Sequence, residues 1–128
     1  MQEQNDEWPE YSLNFLEMAF RTDRQIVPEQ ADGCAEKSSG CGDAVKMYLT
    51  LSGRTIQSVR FEIRGCLNTN ACANAVAELV EGKTVEDARK LTALDVARFL
   101  TTLPPEHMHC AELAAGAFHQ ALAGIDRA

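Results

Sequence analysis

The sequence predicts an α+β domain in which helices pack on one face of a small antiparallel sheet. Three observations predict it: two tandem stretches of alternating apolar residues, helical spacing of apolar residues on either side of them, and caps or breakers between the stretches.

The elements follow in chain order. The segment "WPEYSLNFLEMAF" has Pro9 where a helix can start, then Leu13, Leu16 and Phe20 at spacings of three and four, which predicts a short amphipathic helix. From Arg21 to Gly40 that pattern gives way to a loop rich in Gly, Ser, Asp and Pro-bounded turns, with room for one short edge strand. "AVKMYLTL" places Val45, Met47, Leu49 and Leu51 on one face, and "SVRFEI" does the same with Val59, Phe61 and Ile63. The "SGR" between them closes a hairpin with one buried face, leaving Arg60 and Arg64 on the solvated side. After Cys66, "NTNACANAVAELVEG" offers Asn and Thr as caps, alanines as helix formers and Gly82 as a stop, so a helix of about three turns is expected over 70–81. Thr84 with Asp87, and Thr92 with Asp95, mark two further short helices by capping-box spacing. Pro104 and Pro105 break the pattern, and Ala114, Phe118, Ala121, Leu122 and Ile125 form the apolar stripe of a final helix.

A chain of 128 residues suits one domain, expected over 11–128 behind an acidic tail over 1–10 that carries Glu3, Asp6, Glu7 and Glu10. The net charge of -7 argues against nucleic acid as a partner, because phosphate binding needs a basic face. Nor does any apolar run approach the roughly 20 residues that span a bilayer, so a cytoplasmic protein without membrane contact is expected. Five cysteines leave one unpaired in any disulfide framework, and in a reducing compartment such clusters bind metal or react more often than they crosslink.

Three cysteines sit at element boundaries. In "CGD", extended backbone projects Cys41 and Asp43 to the same side, with Gly42 adding no bulk. Cys66 follows the second strand, and His109 and Cys110 open the last helix. Neighbouring side chains diverge, so His109 and Cys110 reach one ion together only at a bend, or one replaces the other. Three thiolates with an Asp or His make a four-ligand set suited to tetrahedral zinc or to the irons of an iron–sulfur cluster. Cys66 and Cys72 do not form a ligand pair, because six residues along a helix rotate by roughly 240°. Cys72, among Ala71, Ala73 and Ala75, is expected to be a small buried hydrophobe, and Cys34 a bystander in a polar loop. His107 is expected to be a solvated loop residue, with a ligand role as the alternative, and His119 to be structural or exposed. A thiol at a helix start is favoured as the anion, and Cys110 has that position.

Taken together, "CGD" before a hairpin, "GC" between the second strand and an Ala-rich helix, and "LPPEHMHC" before the last helix resemble the IscU-type, NifU N-terminal family of iron–sulfur cluster assembly scaffolds. The resemblance runs from about Tyr11 to the C-terminus with the elements in the same order. It implies a three-stranded antiparallel sheet with helices packed on one face, and a cluster or zinc site at Cys41, Asp43, Cys66, His109 and Cys110. It further implies a transient [2Fe–2S] or [4Fe–4S] cluster held by Cys41, Asp43, Cys66 and Cys110, with Zn2+ in the cluster-free form. Cys110 would be the acceptor of persulfide from a cysteine desulfurase, and apo iron–sulfur proteins the recipients, with the scaffold a monomer or a homodimer and not an enzyme. Asp43, a hard carboxylate, would keep the cluster labile.

The departures are specific. "GCLNTNACA" stands where the family usually has "GCGSAIAS", adding Cys72 in place of a serine. "LPPEH" replaces the "LPPVK" that looks like the handle for an Hsp70-type chaperone, with Glu106 and His107 for an apolar residue and a lysine, which weakens the expectation of that partner. His109 is kept where zinc-dependent SufU-type relatives tend to have Arg, and their insertion is missing, yet a zinc-bound, persulfide-accepting sulfur carrier of that type would use the same residues. A thiol-redox or structural zinc protein is the remaining class. It requires a Cys66–Cys72 or Cys34–Cys41 disulfide, and no CxxC supports it.

Overall fold

In the computed structural model of the chain, β2 (Ala44–Ser52) and β3 (Thr55–Arg64) form the hairpin that the alternation predicts, with Val45 opposite Ile63, Met47 opposite Phe61 and Leu49 opposite Val59. The structure describes residues 11–40 and 42–127; the acidic tail expected over 1–10 and the ligand candidate Cys41 lie outside the described residues. Gly53 supplies the positive φ of 63° that a two-residue hairpin turn demands at its first position. A register shift after Thr50 leaves Gln57 as the extra residue of a bulge.

β1 (Gly33–Ser38) pairs antiparallel with β2, completing a three-stranded sheet in the order β1-β2-β3. Cys34 therefore lies on an edge strand, opposite Tyr48 and exposed, where a polar loop was expected. The strand is hard to read because it carries no apolar alternation: it faces its covering helix with Gly33 and Ala35. A Cβ on Gly33 would stand 2.6 Å from the Ala121 carbonyl oxygen, so the helix lies against bare backbone.

The helices cover one face. α2 (Leu67–Val80) packs on β3, and α5 (Met108–Arg127) lies across β1 and β2. α1 (Leu13–Phe20) packs against α2, while α3 (Val85–Ala88) and α4 (Ala93–Leu100) close the far end. Val45, Met47, Leu49, Val59 and Phe61 from the sheet meet Val76, Val80, Phe118 and Leu122 from the helices in one core. Phe61, Phe118 and Met47 are the largest of its fully buried side chains.

Caps hold as the spacing predicts in α3 and α4. Thr84 accepts from the Asp87 N–H, and Thr92 with Asp95 forms a reciprocal capping box. α1 starts at Leu13 with Ser12 as its cap, whose hydroxyl accepts from the Phe15 N–H and donates to the Leu100 carbonyl; Pro9, where a start was expected, lies outside the described residues.

The asparagines of α2 do not cap it. The helix begins at Leu67 with Cys66 at the N-cap, and Asn70 and Asn74 sit buried inside it. Their amides donate to carbonyls at the end of α1: Asn70 to Ala19 at 2.8 Å and Arg21 at 2.9 Å, Asn74 to Met18 and Arg21, both at 2.9 Å. The orphan carbonyls of one helix are thereby satisfied from the flank of another. Arg24, 3% exposed, completes the junction by donating to the Asn74 side-chain oxygen and pairing with Glu78 and Glu81.

That junction predicts the effect of Asn74→Ala. Truncation leaves the Met18 and Arg21 carbonyls with Asn70 as their remaining side-chain donor and deprives a buried Arg24 N–H of its acceptor, so urea unfolding should show a loss of about 2 kcal/mol. A loss within about 0.5 kcal/mol, the usual range of surface substitutions, would mean that the junction does not hold α1 in place.

Candidate metal centre

Two helix N-termini meet at one end of the sheet. The chain leaves β3 through Gly65, where a Cβ would fall 2.5 Å from the Thr69 hydroxyl, and so Cys66 can stand directly before the first turn of α2. Its sulfur lies 3.6 Å from the Asn68 amide nitrogen and 3.9 Å from Thr69 Oγ1. The other thiol arrives on α5: the "PP" break becomes a short 3-10 turn over Pro105–His107 that runs into the helix, carrying Cys110 into its first turn. Cys110 Sγ is 3.7 Å from the same Thr69 hydroxyl and 3.6 Å from His109 Nε2. Thr69 thus stands between the two thiols.

Around them the described residues form two groups of three donors. One is Asp43, His109 and Cys110; the other is Cys66, His107 and Cys110; within each, the ligand atoms lie within 4.8 Å of one another. Cys110 belongs to both. Asp43 enters from the start of β2, and its carboxylate oxygen stands 3.7 Å from His109 Nε2, an ion pair whenever that imidazole is protonated. Thiolate, imidazole and carboxylate together suit zinc or iron, and two thiols with nitrogen donors at this spacing need little rearrangement to close on one ion.

The thiols differ sharply. Cys66 is exposed: partial burial pushes its thiol up, but the Thr69 N–H and the Asn68 side chain and N–H favour the thiolate more, and the net shift is downward. Cys110 is fully buried, and burial pushes its thiol up to about 11, with the Thr69 hydrogen bond opposing and the nearby Cys66 and Asp43 charges adding. This corrects the expectation of an anionic Cys110: its helix-start position is real, but desolvation outweighs the dipole. Cys72 is fully buried within α2 among alanines, as its spacing predicts, and burial followed by the Cys110 and Cys66 charges raises its thiol strongly.

The structure brings together Asp43, Cys66, His109 and Cys110 of the expected set. Two contributors lie outside the expected set: His107, for which a ligand role was the alternative, and Thr69, which went unread. His107 is half-buried beside both thiols, where a solvated loop residue was expected; its signal was the "HMH" spacing ahead of Cys110. Thr69 carried only the hint of a hydroxyl three residues after Cys66, the spacing of one helical turn. His119 is structural: its Nε2 binds the Leu91 carbonyl at 2.6 Å, tying α5 to the segment between α3 and α4.

Comparison with known proteins adds a family context. Residues 22–127 match the family model described as NifU-like N terminal domain. The chain is 36% identical over 95 residues to the Archaeoglobus fulgidus protein named iron-sulfur cluster assembly scaffold protein IscU 1, covering 73% of this chain and 62% of the relative. It is 30% identical over 116 residues to the Aquifex aeolicus protein named iron-sulfur cluster assembly scaffold protein IscU, covering 88% of this chain and 74% of the relative. The chain thus spans less than two thirds of the Archaeoglobus protein's length. A crystal structure described as a putative iron-sulfur cluster assembly scaffold protein for the SUF system, from Fervidobacterium islandicum, superposes with a TM-score of 0.71 at 23% identity, covering 88% of this chain and 96% of that one. At that identity the likeness speaks for the fold.

The thiol asymmetry predicts an order of modification. With its thiol lowered, Cys66 holds more thiolate at pH 7.5 to 8 than an ordinary cysteine, whereas Cys110, raised to about 11, holds almost none. Iodoacetamide followed by peptide mass spectrometry on the folded protein should show Cys66 alkylated well before Cys110, and Cys72 only after unfolding. Equal rates at Cys66 and Cys110 would contradict the burial argument.

Proposed function

The chain belongs to the NifU-like N terminal domain family, and from that premise we propose that it is a scaffold on which an iron–sulfur cluster is assembled and from which it passes to apo-proteins. The observation that carries the reading is the convergence of Cys66, His109 and Asp43 around Cys110, where the N-termini of α2 and α5 meet. Cys41, outside the described residues, is the proposed third thiol, two residues before Asp43 in "CGD"; Gly42, with a φ of 97°, makes a turn there where extended backbone was expected.

Roles follow from the surroundings of each group. Cys66, exposed and anion-favouring, is the thiolate that first meets iron. Cys110 is the proposed persulfide acceptor. Its thiolate attacks the outer sulfur of a cysteine desulfurase persulfide, a new S–S bond forms on Cys110, and the desulfurase cysteine leaves as thiolate. Burial opposes that step until the Cys110 proton is removed, and iron, the scaffold's cargo, displaces protons from the thiols that bind it. Asp43 supplies a hard oxygen ligand that holds iron–sulfide units less firmly than a thiolate does, which keeps the cargo transferable.

The same donors would also suit a zinc-bound sulfur carrier of the SufU type, and one experiment separates the two. The protein is incubated without oxygen with Fe2+, cysteine and a cysteine desulfurase, and its visible spectrum is compared with that of Cys66→Ala. Sulfide-to-iron absorption in the wild type alone supports the scaffold; a colourless wild type that binds zinc and accepts persulfide favours the carrier. In the reconstituted protein, Asp43→Ala should lengthen the lifetime of that absorption severalfold and slow transfer to an apo-ferredoxin. A shortened lifetime would rule out the assigned role of Asp43.

A further inference from the structure

His107 lies in the segment "LPPEHMHC", at the end of the 3-10 turn that delivers Cys110, and nothing in the assembly chemistry above uses it. Its ring has two distinctive properties. One of its nitrogens lies within 4.8 Å of the Cys66 and Cys110 sulfurs. Its Nδ1 is buried and, among the described residues, is the one buried side-chain nitrogen or oxygen without a hydrogen-bond partner. A buried imidazole nitrogen left unpartnered is costly, and native structures keep such groups for a reason, a bound ion being one. The neighbouring ring of His109, with its centroid 5.9 Å away and its plane tilted by 37°, faces the other donor group through Asp43. The two histidines therefore belong to different donor groups that share Cys110.

We propose that His107 is a metal ligand, forming with Cys66 and Cys110 a nitrogen–disulfur site for a borderline-soft divalent cation, Zn2+ or Fe2+. This deepens the scaffold reading and rests on it, by naming a ligand additional to Cys41, Asp43 and His109. Each thiol that binds gives its proton to solvent, and the neutral imidazole fills a third position without adding charge. Because the site shares Cys110 with the Asp43–His109 group, an ion on Cys66, His107 and Cys110 leaves Asp43 and His109 free at the open side. The Cys110 sulfur then offers a path along which an ion passes between the two groups without losing all its ligands. The 3-10 turn makes the site possible: it carries His107 and Cys110 to neighbouring positions around the Cys66 sulfur.

The test uses the reduced, full-length protein, labelled with 15N, and one equivalent of Zn2+. Long-range proton–nitrogen spectra of the histidine rings are recorded before and after addition. The expected result is a shift of a His107 ring nitrogen to its metal-bound position, complete at one equivalent. In chelator competition, His107→Gln should bind Zn2+ about tenfold more weakly or worse, since even an outer-shell partner of a metal is worth 10–100-fold. Should that variant fail to fold, the wild-type spectrum still decides. A His107 ring that does not move while His109 does would overturn the proposal and leave the metal centre standing. No zinc uptake at all would overturn both.

Discussion

The site depends on how closely α2 and α5 can approach. Both helices are rich in buried alanine, with Ala71, Ala73, Ala75 and Ala77 on one and Ala111, Ala114, Ala117 and Ala121 on the other. Small side chains at a contact let two helix axes approach. Thr69, in the first turn of α2, reaches Cys110 in the first turn of α5 at 3.7 Å. Whatever parts the two helices therefore parts the thiols.

Two further devices orient the pair. Gly33 lets α5 rest on the backbone of β1, fixing its height over the sheet. Asn70, Asn74 and Arg24 bind α2 to the end of α1 on its other flank. The N-terminus of α2 is thus held from both sides while Cys66 stays open to solvent. One thiol ready to react and one kept protonated by burial is an arrangement that limits premature oxidation, since the thiolate is the reactive form. Metal binding reverses the balance, because coordination removes the proton that burial retains.

Much of this was legible in the residue pattern. The hairpin announced itself through strict alternation, and the capping residues of α3 and α4 were read correctly from Thr and Asp three apart. β1 was legible only as room for an edge strand, because Gly33 and Ala35 face a helix that tolerates nothing larger, and small residues carry no alternation signal. The start of α2 was misplaced by three residues: a cysteine is not a usual cap, and its asparagines were engaged by α1. Cys66, Asp43, His109 and Cys110 stood out as donors at element boundaries. The burial of Cys110 and the proximity of His107 did not, because both depend on how two helices dock and how a proline break is wound.

The most direct test of the central claim, that two helix starts gather thiols into one metal centre, is zinc X-ray absorption on the reduced protein loaded with one equivalent. The account predicts a mixed shell with sulfur at about 2.3 Å and lighter donors at about 2.0–2.1 Å. A shell of nitrogen and oxygen alone would show that Cys66 and Cys110 do not meet on an ion, and the centre described here would not exist.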